Sequence, residues 1–471
     1  MRMRAAAASS IALCFVVAVC ALKTPPPADE IRTRALTNLS LPAQWAAAAT
    51  APGPAVTNWL ATFEDPQLEA LVAEAFLHNS DLRVAAANVA RAFAQTKIAS
   101  STLFPVVDLL ARGGGKLGGD SSGLQGALLS ASWELDVWGR VRYEQAAFVA
   151  AHAASIADLE SARQSLAASV ARSWFLAREA RLQRALAANA VADGERLTGL
   201  ATDRERVGSG DLYDIAIANA SLEAYRDAVV QADLAHAQAI RALETLVGRY
   251  PAAAIEAPTQ LATLAGLPAA GVPAELLERR PDVAAAERRV AAAFNRTEES
   301  KVAMLPRIAL TAGVSSVSSE LFVLKDHSNP VVSLGANLLA PIFHGGALRA
   351  NVEVRNAEQE QALADYGRVA VRAFSEVENA LGNEATLRVR EPILTRAVAE
   401  NARSVELAGI RVRVGSGDLR GVLQQQLALY GSRSAVLRVQ SEQRLQRVAL
   451  YLALGGAVAE SVPPVAALQL P

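Results

Sequence analysis

Histidines, cysteines and glycine-rich turns are the residues best able to do chemistry, and in this chain their spacing withholds it. The five histidines, His78, His152, His236, His327 and His344, are too scattered for metal ligation or for a proton relay. Gly113-Gly114-Gly115-Lys116 could offer backbone N–H groups to a phosphate. It lacks the spacing and the following Ser or Thr of a phosphate loop, and reads as a strand-end turn. The two cysteines, Cys14 and Cys20, both precede the body of the chain, which therefore has no intrachain disulfide and no thiolate metal site. No enzymatic activity, cofactor or metal is expected.

The one reactive group with a defined task is the Cys20 thiol. Arg2 and Arg4 precede an apolar stretch from Ala5 to Val19, which is the pattern of an export signal and falls short of the ~20 apolar residues of a membrane span. Cys20 closes that stretch where an acylated cysteine would stand, although Val19 occupies a place usually held by Gly or Ala. Ordinary signal cleavage is the alternative. One acyl chain binds a membrane only marginally, so something else must hold the protein there.

The chain has 471 residues, 52% of them hydrophobic, and a formal net charge of −1. Its basic residues are spread along the sequence, which argues against nucleic acid as a partner. Arg206-Val-Gly-Ser-Gly-Asp-Leu212 returns letter for letter as Arg413-Val-Gly-Ser-Gly-Asp-Leu419, so two halves share one plan. Asp81, Phe93 and Pro105 likewise match Asp282, Phe294 and Pro306.

Each half contains stretches suited to very long helices. Val141 to Asp193 has neither Gly nor Pro and would extend about 75 Å as one helix. Small and apolar letters along it, among them Leu159, Leu166, Val170 and Trp174, fall at heptad-like spacing. Asp211 to Val247 follows the first copy of the duplicated run, which reads as the tip of an antiparallel helical hairpin. The second half repeats this with 347–412 rising and 418–454 descending. Gly367, Gly382, Pro392 and Gly409 are expected to kink or interrupt its rising arm. Alanine-rich seams favour helices tiled into a curved wall over a closed bundle.

Four shorter stretches alternate with period two. Ile308, Leu310, Ala312 and Val314 share one face, as do Val332, Leu334, Ala336 and Leu338; Val107, Leu109 and Ala111, with Leu110 breaking the alternation; and Leu129, Ala131, Trp133, Leu135 and Val137. Their linkers, 113–123 and 316–329, are rich in Gly, Ser and charge. Four strands cannot close a membrane barrel, whose smallest examples have about eight, so closure requires several copies of the chain.

Trp59 with Phe63, Asp65-Pro66, Asn79, Asp81-Leu82, Glu134-Leu-Asp-Val-Trp-Gly-Arg140, Leu276-Leu-Glu-Arg-Arg-Pro-Asp282 and Pro341-Ile-Phe343 are the letters of a known family. Between Trp45 and Gly456 the chain resembles the TolC-like outer-membrane factors of tripartite efflux pumps, and most closely the RND-associated lipoprotein branch (NodT type). The resemblance implies a mainly α trimer whose twelve-stranded β-barrel, four strands per protomer, sits in the outer membrane above a long α-helical barrel. It implies a passive conduit for drugs or other small molecules, driven by an inner-membrane transporter, RND type in this branch, through a periplasmic adaptor.

On that resemblance Val207-Gly208-Ser209 and Val414-Gly415-Ser416 are adaptor-docking tips, and Asp211, Asp214, Asp418 and Arg420 are candidates for the periplasmic gate. Asp211 and Asp418 could instead be helix caps, and Arg420 a solvated surface arginine. Gly421 and Gln424 stand where the second repeat would carry acids, which departs from a doubled acidic ring. The expected organisation is a signal peptide at 1–20 and an extended segment at 21–57, then a first repeat at 58–267 with hairpins 105–138 and 141–248. A second repeat at 268–457, with hairpins 306–340 and 347–455, precedes a tail at 458–471. The alternative is a periplasmic adaptor, with one helical hairpin, or a structural coiled-coil protein of the envelope.

Overall fold

A computed structural model describes residues 22–47, 58–112, 125–318 and 331–457. Cys20, the signal peptide, the tail at 458–471 and most of the two strand-connecting loops lie outside the described residues. The chain forms two compact units. One holds residues up to 39 with 87–158 and 282–369, and the other 40–86, 159–281 and 370 onward.

The first unit is organised on a four-stranded antiparallel sheet in the order β1 (Val106–Arg112), β2 (Gln125–Leu135), β3 (Arg307–Ser318), β4 (Val331–Leu339). β2 of the first repeat pairs directly with β3 of the second, Leu129 opposite Val314. The register aligns the period-two positions into cross-strand rows: Val107, Ala131, Ala312 and Leu334, then Leu109, Leu129, Val314 and Val332. One face of the sheet is thus apolar and open, with Leu109 69% and Leu334 85% exposed. On the opposite face the row Asp108, Ser130, Gly313 and Ser333 is small and polar, while the next row places Leu110, Leu128 and Val331 beside Ser315. β1 and β4 each leave an edge without a partner strand within the described sheet. No helix of the described residues is long and apolar enough to cross a membrane.

The run Glu134–Arg140 turns strand β2 into a helix. The Asp136 carboxylate accepts from the backbone N–H groups of Val141 and Arg142 at 3.0 and 3.1 Å, satisfying donors that the first helical turn leaves free. Arg140 pairs with Glu134 at 2.9 Å, and Gly139 takes φ +83°, which a side chain resists. From there α4 (Arg140–Arg206) runs for 67 residues.

The same unit holds the short helix α1 (Ala28–Ala35). The segment expected to be extended is therefore partly helical, because Pro27 leads in and Ile31 buries itself. The Ala35 carbonyl passes so close to Gly367 that a Cβ there would stand 2.9 Å from it. Lys23 meets the buried Glu298 of α7 (Pro281–Val302) at 3.2 Å, and its backbone N–H donates to the Tyr143 hydroxyl. Glu298 is pushed up by burial, but bonds from Lys301 and Lys23 outweigh this and hold its carboxyl below the usual range.

The second unit packs α2 (Pro66–His78), the 159–206 part of α4, α5 (Leu212–Leu246), the short α6 (Pro273–Arg279), the 370–413 part of α8 (Ala347–Arg413) and α9 (Leu419–Ala453). α3 (Ser80–Ser101) begins here and continues into the first unit. Trp59, Phe63, Phe175 and Tyr451 form its aromatic centre, Trp59 stacked on Tyr451 with ring centroids 5.7 Å apart. Asp65 caps α2, accepts from the Trp174 indole at 2.9 Å and pairs with Arg178.

The linker between the repeats is held through its carbonyls. Arg178 donates to Gln260, Arg181 to Ala257, Arg444 to Ala262, and Arg447 to Ala265 and Gly266. Burial, with Arg178 adding to it, lowers the Arg444 guanidinium to about 10 against an opposing pull from Glu391.

α8 removes the loop from the expected interruption of the rising arm. It runs as one helix through Gly367, Gly382, Pro392 and Gly409 with no intervening loop. Gly367 serves close packing instead of a break.

Candidate functional site: the paired hairpin tips

Both copies of the duplicated run fold into the same turn. At the first, the Ser209 N–H donates to Arg204 O at 2.8 Å and the Gly208 N–H to Glu205 O at 2.9 Å. At the second, Ser416 donates to Arg411 O at 2.9 Å and Gly415 to Val412 O at 3.2 Å. This is the paired closure of a glycine-terminated helix, and Gly208 and Gly415 take φ +71° and +77° to make it. Each turn then hands over to the next helix through an aspartate. Asp211 Oδ1 accepts from Asp214 N at 2.8 Å, and Asp418 Oδ1 from Gly421 N at 2.8 Å. Asp211 and Asp418 are thus helix caps, one of the two readings their positions left open.

Below the turns Ala201, Ala218, Val412, Leu419, Val422 and Leu423 form a shared apolar core between α4, α5, α8 and α9. The identical turns do not meet it alike. Leu419 is 1% exposed, whereas its twin Leu212 is 73% exposed. Val207 and Val414, with Gly208, Ser209, Gly415 and Ser416, are exposed at both tips.

The tips are joined by charge. Arg420 Nε lies 3.0 Å from Asp214 Oδ1, 3.8 Å separate its Nη2 from Asp211, and its guanidinium sits 5.0 Å over the Tyr213 ring. Asp214 is buried, so its carboxylate depends on that partner. Sequence reasoning named Asp214 and Arg420 but missed Tyr213. Its signal was present, since Tyr213 fills in the first copy the place Arg420 fills in the second. Further up, Gln426 donates to Asp193 at 2.8 Å and Ser434 to Gln183 at 2.9 Å, fastening α9 to α4.

Among the described residues no group of three His, Cys, Asp or Glu side chains is placed to hold a metal ion. What the site offers is two exposed turns on helical hairpins that are pinned to each other.

An open apolar sheet face, uninterrupted long helices and duplicated hairpins define an outer-membrane channel subunit, and comparison with known proteins gives its family. The outer membrane efflux protein family matches residues 71–249 and 272–456, and the chain belongs to that family. It is 29% identical over 466 residues to the pyoverdine export outer membrane protein OpmQ of Pseudomonas aeruginosa, covering 95% of this chain and 96% of that one. The cation efflux system protein CusC of Escherichia coli is 27% identical over 408 residues, 85% and 88% of the two chains. The open-state structure of the Neisseria gonorrhoeae MtrE outer membrane channel superposes with a TM-score of 0.79 at 27% identity, covering 94% of this chain and 99% of that one. The protein is an efflux channel of the outer membrane that extends into the periplasm, its barrel completed by trimerisation.

Proposed function

We propose that this channel is the passive outer-membrane conduit of a tripartite pump, joined by a periplasmic adaptor to an inner-membrane transporter of the RND type. The observation that carries the reading is the pair of exposed Val-Gly-Ser turns, 207–209 and 414–416, held together beneath by Arg420 and Asp214. Such turns present backbone groups and small side chains to an approaching hairpin with little to desolvate. The adaptor docks on them, and the Arg420–Asp214 link, supported by Tyr213, holds the periplasmic mouth until docking loosens it. Asp211 and Asp418 contribute as caps that keep the turns in shape.

The cargo is a small molecule chosen mainly by the transporter and adaptor. Relatives at similar identity bear names of different cargo, pyoverdine for OpmQ and cations for CusC. We further assign acylation to Cys20, as an anchor secondary to the barrel. Cysteines introduced at Ser209 and Ser416 test the docking: both should crosslink to an adaptor in intact cells. Absence of any adaptor crosslink from either position would remove the assignment, and a protein found as a monomer in the inner-membrane fraction would remove the whole reading.

A further inference from the structure

The two tips share seven letters but differ in the charges around them. Over the equivalent windows 203–214 and 410–421, Asp203 is replaced by Ile410, Glu205 by Val412, Tyr213 by Arg420 and Asp214 by Gly421. The first window carries four carboxylates and two arginines, the second three arginines and one carboxylate.

The structure turns this difference in composition into a difference in what is free to bind. At the first tip Arg206 pairs with Asp203 at 3.0 Å, and Arg204 donates to the Ser209 carbonyl at 3.0 Å. Their twins are Arg413 and Arg411. The place of Asp203 is taken by Ile410, and the place of Glu205 by Val412, which is buried in the shared core. Arg411 and Arg413 are exposed and, among the described residues, their guanidinium groups have no ion-pair or hydrogen-bond partner. Arg420, the third arginine of the second window, is engaged by Asp214 and Asp211. At the first tip carboxylates outnumber arginines and both arginines are engaged, whereas the second presents two uncompensated cations beside an exposed valine.

We infer that the second-repeat tip selects a helical-hairpin turn bearing carboxylates, with Arg411 and Arg413 as its specificity residues. The first-repeat tip has no free cation for a carboxylate and docks through Val207, Leu212 and backbone. Guanidinium groups suit this task because they meet a carboxylate with two parallel N–H donors and stay charged at any physiological pH. Charges at the rim of an interface act mostly on partner choice and association, so discrimination is their expected contribution. This inference rests on the docking reading above.

The test uses the full-length channel in detergent. Its probes are two synthetic antiparallel helical hairpins, identical except that one carries Glu and the other Lys beside the turn. Each has a single turn cysteine for capture by Ser209→Cys or Ser416→Cys. The Ser416→Cys channel should capture the Glu hairpin about fivefold better than the Lys hairpin, as expected of two exposed ion pairs, with the preference fading in high salt. The Ser209→Cys channel should show no preference for the Glu hairpin.

Ile410→Asp, which restores the partner Arg413 lacks, should reduce the preference. Asp203→Ile, which frees Arg206, should create one at the first tip. Migration as a trimer in unheated electrophoresis checks that each variant is assembled. Capture at both tips without charge preference would overturn this inference alone. Capture of neither hairpin at either tip would overturn the docking reading with it.

Discussion

Arg420, the second residue of α9, reaches across 206 positions of sequence to place its Nε 3.0 Å from Asp214, the third residue of α5. The Asp214 side chain is 9% exposed and that of Arg420 46%, so the pair is half in water and half in the tip core. Its weight lies in what happens when one partner is taken away.

Arg420→Ala leaves a buried carboxylate without its cation, at a local cost of about 1–2 kcal/mol. Conductance in planar bilayers should rise, because the link between the hairpins is gone. Asp214→Asn, which keeps an acceptor for Arg420, should raise it less. Unchanged conductance in Arg420→Ala would separate this pair from gating.

Asp65 ties three elements together through the Leu68 N–H, the Trp174 indole and Arg178. Asp65→Ala strands Arg178 in a buried site and should lower stability by about 3–5 kcal/mol. Thermal unfolding of the trimer, followed by circular dichroism, reads the loss; an unshifted transition would deny the network its structural role.

Two glycines of α8 should respond oppositely to alanine. At Gly367 a Cβ meets the Ala35 carbonyl at 2.9 Å, so Gly367→Ala should cost about 1–3 kcal/mol and expose residues 22–39 to protease. At Gly382 the nearest atom would be Ala47 Cβ at 3.8 Å, so Gly382→Ala should stabilise by about 0.5–1 kcal/mol. Equal effects at the two sites would contradict the packing described for α1.

The Lys23 contact carries a pH dependence. The folded pKa of Glu298 lies below the ordinary value of 4.5, so its contribution is complete above 4.5 and is lost as pH falls through the folded value. Proteolysis near Lys23 should be slow at neutral pH and accelerate as pH falls below 4.5. Glu298→Gln should flatten that profile, and a wild-type profile flat down to acid denaturation would rule out the contact.

Periodicity made the large elements legible before any coordinates. The apolar alternation at Leu129, Ala131, Ala312, Val314, Val332 and Leu334 is what the sheet register lines up, because a side-chain period of two leaves one way to keep a face apolar. Absence of Gly and Pro revealed most of α4, yet the same rule allowed a loop in α8 where the helix runs on. Packing against Ala35 gives Gly367 a reason that no local pattern announces. Caps at Asp211 and Asp418 were readable because their partners lie three residues away. The Asp214–Arg420 pairing and the carbonyl-clamping arginines were not. The first joins residues two hundred positions apart, and the second uses acceptors that every residue possesses.

The unpaired edges of β1 and β4 have a genetic consequence. In lipid, a row of bare N–H and C=O groups is costly, so a lone subunit has nowhere stable to be, and each copy depends on the next to cover its flank. A damaged allele that still offers one sound edge would enter assemblies with intact copies and spoil them. Mutations confined to one edge should therefore behave as dominant when co-expressed with the wild type, whereas those that abolish both edges should be silent in the heterozygous state.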